Sequence, residues 1–300
     1  MDTRSEIREF LTSRRARITP EQAELRTYGT TARRVPGLRR EEVALLAGVS
    51  VDYYTRLERG NATGVSETVL DALARALQLD DAERAHLFHL ARAAQTSPQR
   101  RRRRAPEQIR PSVQRLLDAL PSVPAFVRNG RLDILGANSL GRALYSGHFA
   151  SLVQPPNTAR FVFFDDRAAT FYADWDRVAN DVVAVLHAEA GRDPYDRALS
   201  GLIGELSTRS ELFRTLWAAH NVHRHDTGLK RFHHPLVGEL SLTFDNMQLV
   251  ADPGLTMFVY TAEPGSKSEQ ALNLLASWTA TLEETTHADH EDDARHRTGA

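Results

Sequence analysis

The stretch from Leu38 to Gly60 constrains this 300-residue chain more than any other. Val43, Ala44, Leu46 and Ala47 recur at helical spacing, and Tyr54 with Leu57 begins a second stripe. Ala44 is small where a second helix must cross the first. Gly48 supplies the positive φ that a tight interhelical turn needs. Ser50 stands where an N-cap belongs, and Tyr54 and Leu57 point back into the core. Val51, Asp52, Tyr53, Thr55 and Arg56 are left on the outward face. Two helices joined in this way make a helix-turn-helix, whose second helix fits the major groove of DNA. The plainer alternative is an αα-hairpin with a glycine turn. It does not require small, turn, cap and core positions to fall in register together.

The same periodicity extends over residues 1–94, which are expected to form an all-α, five-helix domain. Ile7, Phe10 and Leu11 make one stripe, Val69, Leu70, Leu73, Ala74 and Leu77 another, and Leu87, Phe88, Leu90 and Ala91 the last. Ser66 and Asp80 precede stripes as caps, and Glu83 follows Asp80 at capping-box spacing. Residues 18–37, with Pro20, Gly29 and Pro36, read as an irregular connection. Residues 95–110 carry the run Arg100–Arg104 and read as an exposed basic linker, either a second contact to a nucleic-acid backbone or a merely solvated segment.

Beyond Pro111 the pattern changes to α+β, over 111–284. A helix marked by Val113, Leu116, Leu117 and Leu120 precedes strand runs at 125–128 and 132–137, joined by the hairpin signal Asn129-Gly130. Helical spacing returns at 171–190, 195–206 and 210–220, then strands at 229–234, 237–244 and 255–261, then a helix at 268–282. This order predicts an antiparallel sheet covered on one side, with room for a pocket between the layers. The polar end, 285–300, reads as a disordered tail.

Charge and composition narrow the function classes. Residues 1–110 hold 21 arginines against 15 acids, and residues 111–300 hold 17 basic residues against 24 acids. A basic end joined to an acidic body is common among nucleic-acid binders. The chain has no cysteine, which excludes disulfides, thiolate metal sites and cysteine nucleophiles. No apolar run is long enough to span a bilayer, and the charged first fifteen residues lack a signal-peptide core, so the expected location is the cytoplasm, away from membranes. The 36 arginines against only Lys230 and Lys267 read as codon bias.

The motif Leu38-x-x-Glu41-Glu42-Val43-Ala44, followed by Gly48-Val49-Ser50 and Arg56-Leu57-Glu58-x-Gly60, resembles the Cro-repressor-like (XRE) helix-turn-helix family. The resemblance implies that Val51, Asp52 and Arg56 read bases and that Tyr53 sits between base and phosphate, with Ser50 and Thr55 on the same contact face. Arg56 has the fork to engage guanine O6 and N7, and Asp52 can accept from cytosine N4 or orient Arg56. Arg39, Arg40 and Arg59 are the phosphate candidates, with Arg33 and Arg34 either reaching phosphate or solvated. Glu41 and Glu42 suit a helix start, and Glu58 is expected to form a salt bridge inside the domain.

The likeness continues through Phe213-Arg214-Thr215-Leu216-Trp217, Lys230-Arg231-Phe232 with His234-Pro235, Val237-Gly238-Glu239-Leu240, and Val259-Tyr260-Thr261-Ala262-Glu263-Pro264-Gly265-Ser266. Together these blocks resemble the MmyB-like transcription regulators of actinobacteria, in which an XRE domain precedes a PAS-like ligand-binding domain. That resemblance implies a small-molecule ligand, of fatty-acid type. The residues themselves offer aromatics at Phe161, Phe163, Phe164, Phe171, Tyr172, Trp175, Phe213 and Trp217, which either line an apolar site or build plain core. The ligand-binding candidates are Phe171, Tyr172, Trp175, Phe213 and Trp217, with Asn138 and Arg160 as polar anchors. The alternative roles of these two are a helix N-cap and a solvated side chain.

Five histidines fall at 220, 223, 225, 233 and 234, but no helical frame or intervening Glu supports a metal site, and none is expected. No nucleophile elbow, phosphate-binding glycine loop or zinc-protease motif occurs, so neither an enzyme nor a cofactor is expected. The leading expectation is a one-component transcription regulator acting on a double-stranded operator as a homodimer. Two other classes stay open: a DNA-bound module whose second domain binds a partner protein, and an enzyme carrying a DNA-binding appendage.

Overall fold

A computed structural model describes residues 3–25, 37–95, 108–219 and 227–281. Its contacts divide the chain into two units, one drawn from 1–104 and 180–224, the other from 105–179 and 225–300. The Arg100–Arg104 run, Arg33, Arg34, His220, His223 and His225 lie outside the described residues.

The first unit opens with five helices: α1 (Thr3–Arg17), α2 (Arg40–Ala47), α3 (Val51–Glu58), α4 (Glu67–Ala76) and α5 (Asp81–Gln95). The caps that the sequence signals are formed. Ser50 Oγ accepts from the Tyr53 amide, and Ser66 Oγ from that of Val69. Asp80 and Glu83 exchange both capping-box bonds, at 2.8 and 3.2 Å. The stripes converge on one core of Ile7, Phe10, Leu11, Val43, Tyr54, Leu57, Leu70, Leu73, Leu87 and Leu90. Gly60 has a φ of +91°, and a Cβ there would lie 2.2 Å from the Arg4 carbonyl oxygen. Two separate constraints therefore hold position 60 to glycine.

The same unit includes the later part of α11 (Trp175–Arg192), with α12 (Arg197–Arg209) and α13 (Glu211–Ala218). Ala188 packs against the core of the first five helices. Gly191 lets His86 of α5 approach, since a Cβ there would sit 2.6 Å from the imidazole. Asp196 and Ser210 cap α12 and α13.

The second unit is built on β1 (Ala125–Asn129), β2 (Ile134–Ala137), β3 (Thr227–His234), β4 (Gly238–Gln248) and β5 (Leu255–Thr261), all antiparallel in the order β2-β1-β5-β4-β3. β4 alternates as a half-covered strand should, with Leu240, Leu242 and Phe244 buried and Ser241, Thr243 and Asp245 exposed. β1 does not alternate. Ala125 and Val127 on its other face are covered by Val113 and Leu117 of α6 (Pro111–Asp118), together with Leu255 and Met257 of β5. The expectation of one-sided cover is thus corrected: helix packs on both faces over β1 and β5, because the apolar stripe of α6 needs a partner. The inner face is covered by four short helices, α7 (Ser139–Leu144), α8 (Ser146–Phe149), α9 (Thr158–Phe164) and α10 (Arg167–Phe171). A final helix runs over 267–281.

The β1–β2 hairpin forms, but without the two-residue turn that Asn129-Gly130 suggests. The Asn129 side chain accepts from the amides of Arg131 and Asp133, at 2.9 and 3.0 Å. Its backbone pairs with Asp133, which leaves a three-residue loop with Leu132 at φ +69°. Leu132 is fully buried, so packing offsets a left-handed conformation that costs about 1–2 kcal/mol.

Candidate functional site

α3 has two unlike faces. Tyr54, Leu57 and Glu58 turn inward and are buried. Val51, Asp52 and Arg56 turn outward, Val51 with 45% of its surface exposed, and Tyr53 and Thr55 are half-buried between them. The Arg56 guanidinium lies over the Tyr53 ring at 5.2 Å, a cation–π contact that limits its rotamers without neutralising it. Neither Arg56 nor Arg59 has an acidic partner among the described residues, so both present full charge to solvent. Before this face stands the turn, where Gly48 adopts φ 64° and ψ 33° and closes α2.

Glu58 is the electrostatic centre of the motif. Its carboxylate is 1% exposed and accepts from Arg15 Nε of α1 at 2.5 Å and from Arg40 Nε of α2. Arg15 Nη1 also donates to the Leu38 carbonyl at 2.8 Å. The carboxylate beside Tyr54 adds to burial in pushing that phenol well above its ordinary range. Sequence reasoning placed Glu58 in an internal salt bridge but missed Arg15, which no local spacing links to it. Arg40, a phosphate candidate, is 48% exposed and tied to Glu58, so its charge is shared with the fold. Arg39 opens α2: its amide donates to Glu42 Oε2 at 2.6 Å, and its guanidinium reaches Glu41 at 3.5 Å.

In the second unit, the inner face of the sheet and the short helices enclose an aromatic core. Phe126, Tyr145, Phe161, Phe171, Tyr172, Phe232 and Tyr260 are all buried. Their rings meet edge-on or tilted, as with Phe171 and Tyr172 at 4.9 Å and Phe171 and Phe232 at 5.2 Å. Two polar links run through it. Tyr145 and Tyr260 share a hydroxyl–hydroxyl bond of 2.6 Å, and the Tyr172 hydroxyl bonds His148 Nε2 at 3.1 Å. Burial pushes the Tyr260 hydroxyl up to about 12 and those of Tyr145 and Tyr172 well above their ordinary range. His148 stacks on Phe161 at 3.8 Å, and its Nδ1 is buried without a hydrogen-bond partner. Burial, aided by the Lys230 charge, pulls its pKa well below the ordinary imidazole value, so it is neutral.

The sequence-derived ligand candidates part company here. Phe171 and Tyr172 join the aromatic core. Trp175 is half-buried, and its indole donates to the Val162 carbonyl at 3.3 Å. Arg160 is half-buried on α9, its amide bonded to the Asn157 side chain at 3.0 Å. Asn138 is the N-cap of α7. Its oxygen accepts from Ala125 and Gly141, and its nitrogen donates to Leu120 and Val123. With all four positions used, it is left out of the ligand set proposed below. Phe213 and Trp217 belong to the other unit, where Trp217 stacks on Phe213 at 5.5 Å and on His187 at 3.6 Å. The core residues that sequence reasoning did not single out as candidates are Phe126, Tyr145, His148, Phe232 and Tyr260. Alternation along β3 and β5 was the available clue for Phe232 and Tyr260. His234 spends both ring nitrogens on the backbone, and among the described residues no group of three metal-binding side chains converges. No described helix is long and apolar enough to cross a membrane.

A helix-turn-helix with a charged outer face, joined to a separate α+β unit, defines a DNA-binding transcription regulator. Comparison with known families agrees: a helix-turn-helix domain profile matches residues 6–87, and the MmyB-like transcription regulator ligand binding domain matches residues 109–275. The second match covers more than half of the chain, which belongs to the MmyB-like transcription regulators. No curated protein matches it.

Proposed function

We propose that this regulator binds a two-fold operator as a homodimer in the cytoplasm and docks in the XRE manner. Val51, Asp52 and Arg56 read bases, and Tyr53 sits between base and phosphate. Ser50 and Thr55 complete the contact face, and Arg39, Arg40 and Arg59 engage phosphates. The observation that carries this reading is the outward face of α3, where Arg56 and Arg59 have no acidic partner among the described residues. One such helix reads only a few base pairs, so a symmetric pair on half-sites a turn apart is the economical route to a tight site.

The second unit, of PAS-like type, acts as a binder and carries out no chemical conversion. Its ligand is an apolar small molecule of the fatty-acid class, held against Phe171 and Tyr172, with Trp175 and Arg160 at the margin. The buried aromatic surface supports this reading, because each acyl CH₂ removed from water contributes about 0.8 kcal/mol. The ligand alters operator binding only by its differential affinity for the two DNA-binding states.

Native mass spectrometry of the purified protein, followed by melting with saturated acids of increasing length, tests the ligand. Light scattering with and without a palindromic duplex tests the dimer. The expected results are a co-purifying lipid, a melting temperature that climbs with chain length, and twice the chain mass. If no lipid co-purifies and melting ignores chain length, the partner-protein reading replaces this one. A monomer under both conditions removes the dimer.

A further inference from the structure

The final helix, residues 267–281, buries Ser268, Ala271, Leu272 and Leu275 on one side. On the other side Gln270, Asn273, Leu274, Ser277, Trp278 and Thr281 recur at intervals of three and four, and all are exposed. A helix face turned to water ordinarily carries charge. From Gln270 to Thr281 there is none, the longest uncharged run on any described helix, in a chain that is 26% charged. In its place stand Leu274, 66% exposed, and Trp278, 46% exposed, neighbours one turn apart. The Trp278 indole and the side-chain amides of Gln270 and Asn273 have no hydrogen-bond partner among the described residues.

Depletion of charge around a large apolar anchor is the composition of an interface centre, and Trp leads the residues that anchor one. The charges at the two ends say which partner fits. Lys267 opens the helix, exposed and without an acidic partner among the described residues, and Glu283 and Glu284 follow Thr281 in the sequence. Two copies of the helix laid antiparallel, with Trp278 of each on Leu274 of the other, bring Lys267 of each toward the two acids of the other. A two-fold contact sets a surface against itself, which an uncharged centre tolerates and a charged one does not. We propose that this face is where a second copy of the chain docks, through an antiparallel helix pair. The inference rests on the homodimer reading above and names its interface. One helix pair buries less than the roughly 1,200 Å² of a stable interface, so self-association is expected at micromolar concentrations.

The full chain and its variants are followed by sedimentation equilibrium, after circular dichroism shows that each variant folds. Trp278→Glu should weaken the dimer about tenfold or more, and Lys267→Glu about threefold. Adding Glu283→Lys and Glu284→Lys to Lys267→Glu should restore most of the affinity. No pair within one chain explains such a rescue, since positions 267 and 283 of one helix would lie about 24 Å apart. Because the chain has no cysteine, Ser277→Cys reads the geometry directly: it should form a disulfide between copies under mild oxidation, while exposed Thr208→Cys on α12 should not. An undiminished dimer in Trp278→Glu, equal cross-linking through positions 277 and 208, or failure of the rescue overturns the antiparallel pair and leaves the homodimer reading standing. A lower melting temperature for Trp278→Glu at every concentration, with dimerisation intact, assigns the face to the chain's own residues 282–300 and also overturns it. If wild type is monomeric both free and on a palindromic duplex, both readings fall together.

Discussion

Replacing Glu58 by Ala removes the acceptor that guanidinium groups from two other helices share. Deleting one partner of a buried ion pair costs about 3–5 kcal/mol, because the other charge is left without compensation. The two arginines differ in how far they escape that cost. Arg15 is 14% exposed and keeps only its bond to the Leu38 carbonyl, whereas Arg40 is 48% exposed and turns readily to water. The Arg40 arm therefore counts as a surface pair, worth about 0–1 kcal/mol. Glu58→Ala should cost about 3 kcal/mol, Glu58→Gln about half as much, and Arg40→Ala no more than about 1. Urea unfolding followed by far-ultraviolet circular dichroism reads the difference. With a slope of about 2 kcal/mol per molar, Glu58→Ala should move the midpoint of the first unit by about 1.5 M. Hydrogen exchange on peptides from α2 and α3 assigns the loss to the motif. An unchanged midpoint for Glu58→Ala, or an Arg40→Ala loss as large as that of Glu58→Ala, refutes the assignment of the bridge to Arg15.

Three further outcomes are expected. Arg56→Ala should weaken operator binding by about 1–3 kcal/mol and relax preference at one base pair in a gel-shift competition, and equal loss on random duplex would remove Arg56 from the base-reading set. Gly60→Ala should cost about 3 kcal/mol in thermal melts, since it combines a strained φ with a clash against the backbone at Arg4, and a neutral effect would show that α1 yields there. His148 and His234 both have pKa values lowered by burial, so the unfolded chain takes up protons first as the pH falls below 6.5, and stability should decline from there downward. His148→Asn should flatten part of that slope in melts between pH 7 and 5, and an unchanged slope would assign it elsewhere.

The helix-turn-helix was legible because its determinants are local. Gly48, Ser50, Ser66, Asp80 and Glu83 each act within four residues of themselves, and the structure forms each of those turns and caps. The hairpin at Asn129 was legible as a reversal of direction, while its turn type was set by the burial of Leu132 and by side-chain bonds that spacing does not encode. Helices α7 to α10 have four to seven residues each, too few for a 3.6-residue period to emerge, although Asn138, the cap of α7, was visible as a residue type. The aromatic cluster was legible only in part. Phe171 and Tyr172 lie in one stretch, but Tyr145 reaches them from the end of α7, and Phe232 and Tyr260 from strands later in the chain. Lys230 was visible within the Lys230-Arg231-Phe232 block, but its inward aim depends on the register of β3.

The division of labour on α3 bears on how such a regulator is retargeted. Tyr54, Leu57 and Glu58 are held by the core and the arginine bridge, Tyr53 and Thr55 are half-buried, and Val51, Asp52 and Arg56 are exposed and touch little of the rest of the fold. Sequence change at the outward positions is therefore nearly free of folding cost, whereas change at the inward ones is not. With the proposed docking of α3, a lineage moves to a new operator through three substitutions that leave stability almost untouched. A designer can do the same by grafting only those positions from a relative with a known site. Transplanting 38–60 as a block would fail, since Gly60 is shaped to the first turn of α1 and Glu58 is neutralised by Arg15 from that same helix. The portable unit is a set of side chains, and the helix that displays them stays with its own protein.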